Sequence, residues 1–210
     1  MTTRLKHTYC LFIFVCIFCF ARTCFAQPED LWNIIRHHFS LAASKEEEAL
    51  IAKHIAWYQK HPESLATTIE RSRRYMHYIT ATLVSKKVPT ELALIPMIES
   101  HYDPFAYSHA GARGLWQFMP SLASGYGLEQ NHWTDERRDV ILSTRTALSH
   151  LQYLHKLFNN DWKLAIYAYN GGEGRVKKRL RQEKHPVKRF ISYRKKPKPT
   201  CLKFWRCSVS

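Results

Sequence analysis

The stretch Glu91-Leu92-Ala93-Leu94-Ile95-Pro96-Met97-Ile98-Glu99, followed by Ser100, decides how the chain is read. Every residue between its two carboxylates is apolar, which a surface helix would not tolerate, so the segment predicts a buried helix. Pro89-Thr90 starts it, with Thr90 as N-cap and Glu91 in the first turn. Leu92, Ile95 and Glu99 stand at i, i+3 and i+7 and share a helical face. Pro96 removes one backbone hydrogen bond and predicts a bend near the C-terminal end. A carboxylate closing an apolar face must be paired, hydrogen-bonded or protonated, because a naked buried charge is costly. Desolvation helps a carboxyl keep its proton, which is what a general acid near neutral pH needs. Taken alone, Glu99 is also the kind of half-exposed Glu that commonly ends a helix.

C-terminal to this segment, Asp103-Pro104 ends the element, and residues 108–114 read as a loop given freedom by Gly111 and Gly114. Leu115-Trp116-Gln117-Phe118-Met119 is a short apolar turn closed by Pro120, in which Trp116 and Phe118 read as core. An amphipathic helix follows from about residue 134 to 158, on Val140, Ala147, Leu148, Leu151, Leu154 and Phe158. A last buried helix, 161–169, stops at Asn170-Gly171-Gly172. N-terminally, residues 29–85 read as helices. Within 64–84, Leu65, Ile69, Met76, Ile79 and Leu83 recur at helical spacing between Arg71, Arg73 and Arg74, which are read as solvated. Glu46-Glu47-Glu48 is a solvated face or a helix's first turn. No segment alternates with period two, and the fold class is mainly α.

The N-terminus reads as a leader. Arg4 and Lys6 form a positive n-region, residues 9–20 an uninterrupted apolar run, and Cys24-Phe25-Ala26 offers a cleavage site before Gln27. The apolar run is too short for an ordinary membrane span, and Arg22 spoils a lipidation motif at Cys24. Residues 1–26 are therefore expected to be a signal peptide and the protein to be exported. Cys10, Cys16, Cys19 and Cys24 leave with it. Cys201 and Cys207 remain, which could close one small loop but do not define a fold. The histidines show no His-x-x-x-His pair and no metal pattern.

The net charge of +15 needs locating. Residues 1–26 carry three basic residues and no acid, and residues 175–210 carry fourteen basic residues and one acid, leaving fifteen basic against sixteen acidic residues in 27–174. The basic character lies in the tail. A globular nucleic-acid binder carries its basic stripe on folded elements, so nucleic acid is not an expected partner. The tail is suited to electrostatic contact with an anionic wall or membrane surface.

Taken together, Glu99-Ser100, Ser108, Gly114-Leu115-Trp116-Gln117-Phe118-Met119-Pro120 and Ala168-Tyr169-Asn170-Gly171-Gly172 resemble the lytic transglycosylases, which share the goose-type lysozyme fold. Asp30-Leu31-Trp32 and Glu91-Leu92-Ala93-Leu94-Ile95-Pro96 look like the membrane-bound transglycosylase D branch, so the resemblance spans roughly residues 29–180. It implies that Glu99 is the single acid/base, that Ser108 hydrogen-bonds the substrate sugar, and that Gln117 and Met119 line the saccharide groove. Tyr169 and Asn170, which from residues alone read as a core aromatic and a helix stop, become the pair facing the catalytic carboxyl. The implied reaction cleaves the bond between N-acetylmuramic acid and N-acetylglucosamine without water, giving 1,6-anhydro ends, with no cofactor and no metal. The implied partner is the peptidoglycan glycan strand, and the implied location the periplasm of a Gram-negative-type cell, with or without membrane association. The expected organisation is signal peptide 1–26, N-terminal helical extension 27–85, catalytic domain 86–184 and basic tail 185–210. One departure stands out: the branch continues into a helix carrying Glu-Thr-x-x-Tyr, which this chain lacks. That suggests truncation, and with it the alternative of a weakly active or inactive glycan-binding remnant.

Overall fold

The computed structural model describes residues 31–182. The expected signal peptide, the basic tail 185–210 and the pair Cys201 and Cys207 lie outside the described residues. The chain divides into two units at residue 34/35, and of the first only residues 31–34 are described, the opening of helix α1 (Leu31–His37).

From Ile35 onward the elements are helical, and among the described residues no strand forms, only single antiparallel bridges such as Tyr107 to Arg113 and Arg113 to Phe118. Helix α2 (Lys45–Lys60) opens with a capping box: Ser44 Oγ accepts from the Glu47 amide, and the Glu47 carboxylate accepts from the Ser44 amide. Glu47 thus sits in a first turn, but it is only 1% exposed, so the solvated reading of the acidic triplet does not hold for it.

The expected continuous helix over 64–84 is two helices, α3 (Glu63–Ser72) and α4 (Met76–Ser85). The Ser72 hydroxyl donates to the Ile69 carbonyl at 2.7 Å and the next amides form tighter turns, the local competition by which serine ends a helix. Arg73 and Arg74 are exposed, but Arg71 reaches Asp103 at 3.4 Å. On α4, Met76, Ile79, Thr80 and Leu83 are buried at helical spacing.

The apolar stretch is buried as expected, with Leu92, Ala93 and Leu94 at 0% exposure, but it is not one bent helix. Thr90–Leu94 is a 3-10 segment and α5 (Ile95–Glu99) begins after it. Pro96 stands in the first turn of α5, where its missing N–H is not needed. It therefore starts a helix instead of bending one. Thr90 is not the cap: its hydroxyl donates to the Ile35 carbonyl at 3.0 Å. Glu91 is buried, and its Oε1 accepts from the amides of Ser40 (2.6 Å) and Leu41 (2.8 Å).

After the loop 100–119 come α6 (Pro120–Gly125), a 3-10 turn Glu136–Arg138 capped by Asp135, and α7 (Val140–Leu157) capped by Asp139. The helix expected from about residue 134 thus begins at 140, because the extended backbone of Asp139 separates the two. Helix α8 (Trp162–Gly171) is capped by Asp161 and ends at Gly172, φ 86°, as Asn170-Gly171-Gly172 predicted. Helix α9 (Glu173–Gln182) closes the described chain. Leu154, Phe158, Leu164, Ala165, Ala168 and Val176 form one buried cluster joining α7, α8 and α9. The Leu, Phe and Val side chains among them each contribute roughly 1.5–3 kcal/mol on burial, which anchors α8. No helix among the described residues is long and apolar enough to cross a membrane.

Candidate active site

Glu99 is the last residue of α5 and is half-buried. The chain then reverses sharply. Ser100 caps the helix, its amide and hydroxyl both donating to the Pro96 carbonyl at 3.0 Å, and His101 and Tyr102 take left-handed φ values of 53° and 57°. Such values are costly for residues with a Cβ, and the buried Tyr102 offsets the strain: its ring is fully enclosed and its hydroxyl donates to the Ala93 carbonyl at 2.5 Å.

The loop that follows folds back on itself. Arg113 and Phe118 exchange backbone hydrogen bonds at 3.1 Å, and the Gly114 amide donates to Ala106 O at 3.0 Å. Gly114 has φ 80°, and a β-carbon there would lie 1.8 Å from the Arg137 carbonyl oxygen, so the position demands glycine. Arg137, 5% exposed, holds the loop from beneath: its Nη1 donates to the carbonyls of Gly111 (3.0 Å) and Phe118 (3.3 Å). Its Nη2 meets Asp135 Oδ2 at 2.7 Å. Trp116 and Phe118 are buried as core, and the Trp116 indole donates to Thr144 on α7 at 3.0 Å.

This loop is stitched to both flanks of Glu99. The Ser100 hydroxyl shares its one proton between Pro96 O and Leu115 O, the latter at 2.9 Å, and the Tyr169 hydroxyl donates to Trp116 O at 2.8 Å. Asn170, one residue beyond Tyr169 on α8, donates from Nδ2 to Glu99 Oε1 at 2.6 Å. Tyr169 keeps partial exposure as a residue, yet burial around its hydroxyl pushes the phenol well above its ordinary value, and the Glu99 charge adds to that push. The hydroxyl therefore remains protonated and acts as a fixed donor.

Three of the expected residues, Glu99, Tyr169 and Asn170, are thus brought together across some seventy positions of sequence. Gln117 lies on the stitched loop at φ 50°, its Nε2 donating to the carbonyls of Gly114 (2.9 Å) and Ala106 (3.2 Å). Ser108 lies on the same loop, and its Oγ accepts from the Ala112 amide at 2.9 Å. Met119 is 42% exposed at the loop's end. Sequence reasoning missed the supports of this arrangement: the tying role of Ser100, and Tyr102, Asp135 and Arg137 altogether. Ser100, Tyr102 and Arg137 donate to carbonyls that no spacing rule points to, and Asp135 accepts from Arg113 and Arg137, although the strained pair His101-Tyr102 follows the acid directly. A separate cavity of about 910 Å³, lined by residues from 38–42, 84–90 and 160–163, includes none of the expected site residues.

The described residues from Ile35 onward thus form a helical domain in which one half-buried carboxylate, Glu99, carries an amide donor from Asn170 beside a tied loop. The chain belongs to the Transglycosylase SLT domain family, whose sequence pattern it matches over residues 77–191. It is 38% identical over 162 residues to membrane-bound lytic murein transglycosylase D of Escherichia coli (strain K12), an overlap of 77% of this chain and 35% of that one. A putative tributyltin chloride resistance protein of Alteromonas sp. (strain M-1) is 44% identical over 121 residues, 58% of each chain. The soluble lytic murein transglycosylase of Escherichia coli (strain K12) is 32% identical over 102 residues, 44% of this chain and 15% of that one. The chain spans about a third of the length of the first of these relatives.

Proposed function

We propose that this protein is a peptidoglycan lytic transglycosylase, acting at the bond between N-acetylmuramic acid and N-acetylglucosamine with Glu99 as its single acid and base. The observation that carries this reading is the Asn170 Nδ2 to Glu99 Oε1 contact of 2.6 Å. An amide donor on Oε1 orients the carboxyl that is to deliver the proton. Glu99 gives that proton to the glycosidic oxygen, and the bond from that oxygen to C1 breaks. The N-acetyl carbonyl of the muramic sugar closes on C1 and shares the positive charge, as in other substrate-assisted glycosidases. The carboxylate then takes the proton of the C6 hydroxyl, whose oxygen bonds to C1 and displaces the acetamide. The products are a free 4-hydroxyl end and a 1,6-anhydro end, and Glu99 is protonated again.

Ser108, Gln117 and Met119 are assigned to the saccharide groove, because the loop bearing them is tied to the residue after Glu99 and to Tyr169. Such a substrate lies outside the cytoplasmic membrane, which fits export by residues 1–26 and a periplasmic site of action. The test is digestion of purified peptidoglycan with product analysis before and after borohydride reduction. Anhydro ends, which resist reduction, are the expected result. Release of reducible ends alone would make the enzyme a hydrolase and remove the C6 step.

A further inference from the structure

Glu47 opens α2, yet both its carboxylate oxygens point away from solvent and are used. Oε2 accepts from the Ser44 amide at 2.6 Å and from Lys163 Nζ at 2.9 Å, and Oε1 accepts from the Tyr167 hydroxyl at 3.2 Å. The Glu47 side chain is 2% exposed and that of Lys163 23%. Burial opposes ionisation of Glu47, but the Ser44 amide, Lys163 and Tyr167 together outweigh it and hold the carboxyl below its usual range. Glu47 is therefore ionised at neutral pH. A buried ion pair is a weak source of stability, since desolvation offsets most of the attraction. What it does supply is direction.

That direction is transmitted along α8. Lys163, Tyr167 and Asn170 stand at i, i+4 and i+7 and share one face of this ten-residue helix. The opposite residues Leu164, Ala165 and Ala168 pack into the cluster with α7 and α9. Apolar packing is non-directional, whereas the hydrogen bonds made by the polar face have fixed geometry. The polar face carries directional contacts, Glu47 on Lys163 and Tyr167 at one end and Asn170 on Glu99 at the other, while the Tyr169 hydroxyl on Trp116 O holds a second side of the helix.

We propose that Glu47 is a positioning residue which, through Lys163 and Tyr167, sets the rotation of α8 so that Asn170 meets Glu99. Resting on the role assigned to Glu99 above, this makes the segment carrying α2 part of the catalytic arrangement. With a side-chain radius of about 5–6 Å, a rotation of about 10° moves the Asn170 amide by roughly 1 Å. A displacement of that size in a catalytic contact lowers turnover by up to about 10²-fold.

The experiment uses the full chain and three variants. Glu47→Gln keeps shape and one acceptor but loses the charge, Lys163→Met removes the partner, and Tyr167→Phe removes the second contact without touching charge. The side-chain amide resonances of Asn170, identified by their loss in Asn170→Ala, report on the contact with Glu99 whether or not the enzyme turns over. The proposal expects these resonances to shift in Glu47→Gln and in Lys163→Met. It expects kcat on purified peptidoglycan to fall about tenfold, with KM changed less than about twofold, and the Glu47→Gln/Lys163→Met double variant to be no worse than either single one. Tyr167→Phe should show the same signs to a smaller degree, and serves if the charge variants fail to fold. Unmoved Asn170 resonances overturn the proposal, as do losses in kcat that multiply in the double variant. Asn170 resonances that shift in the variants while the wild type itself makes no product would instead sink the transglycosylase reading and leave the positioning intact.

Discussion

Replacing Gly114 with alanine perturbs the site's loop at its tightest point. The backbone there has φ 80°, and an added Cβ would lie 1.8 Å from the Arg137 carbonyl oxygen and 2.7 Å from its carbon. The left-handed conformation alone costs an alanine about 1–2 kcal/mol. Gly111 has φ 90° with no atom within 4 Å of its Cβ position, so Gly111→Ala carries that cost and nothing else. At Gly114 the clash is with backbone, which must move by more than an ångström. The moving residue is Arg137, whose side chain holds Asp135, Gly111 O and Phe118 O. Loss of one or two such charge-assisted bonds costs about 1.5–3 kcal/mol each. Gly114→Ala should therefore destabilise by about 4 kcal/mol or more, against about 1–2 kcal/mol for Gly111→Ala. For a chain of this size that is a fall in Tm of about 8–16 °C or more against about 2–8 °C. Thermal unfolding followed by far-ultraviolet circular dichroism gives both values. If the two variants melt within about 2 °C of each other, the close approach of the loop to residues 136–138 is wrong.

Asp135, whose side chain is 11% exposed, is held below the usual carboxylate range first by hydrogen bonds from Arg137, against burial, with Arg113 adding to the effect. Its folded value is depressed, so its contribution to stability is complete above the unfolded value of about 3.9 and fades as pH falls through the folded value. Asp135→Asn should be about 3 kcal/mol less stable than wild type at neutral pH, and the gap should close below about pH 4; an unchanged gap between pH 7 and 3 contradicts the assignment. Ser100→Ala removes the hydroxyl that ties Pro96 O and Leu115 O. It should lose about 1–2 kcal/mol in urea unfolding, and a stability equal to wild type would mean the tie is not made.

Much of the framework around Glu99 was legible in the sequence, for identifiable reasons. The run before Glu99 has no polar position to show to water, so burial follows whatever the helix type. Asn170-Gly171-Gly172 announces the end of α8 because only glycine takes the φ of 86° found at Gly172 without strain. Trp116 and Phe118 read as core and are core. What stayed hidden was long-range or local in a way that periodicity does not register. Glu47 reads as a solvated acid because its partner Lys163 lies 116 positions away. Glu91 looks like a first-turn carboxylate but accepts two amides from fifty positions earlier. The break after Ser72 depends on one hydroxyl turning onto a carbonyl, while the apolar spacing runs across it unchanged. Pro96 was placed correctly as a disruption and incorrectly as a bend, since a proline that starts a helix and one that kinks it look alike in sequence.

The central claim is that Glu99 delivers the proton, and the most direct measurement is turnover of purified peptidoglycan by Glu99→Gln beside its thermal unfolding. Glutamine keeps an oxygen for the Asn170 amide, which meets Glu99 Oε1 at 2.6 Å, but has no proton to give. The expected result is a fall in turnover of about 10²-fold or more with Tm within about 2 °C of wild type. A variant that keeps more than about a tenth of wild-type turnover would contradict it, and so would one that loses turnover only by unfolding.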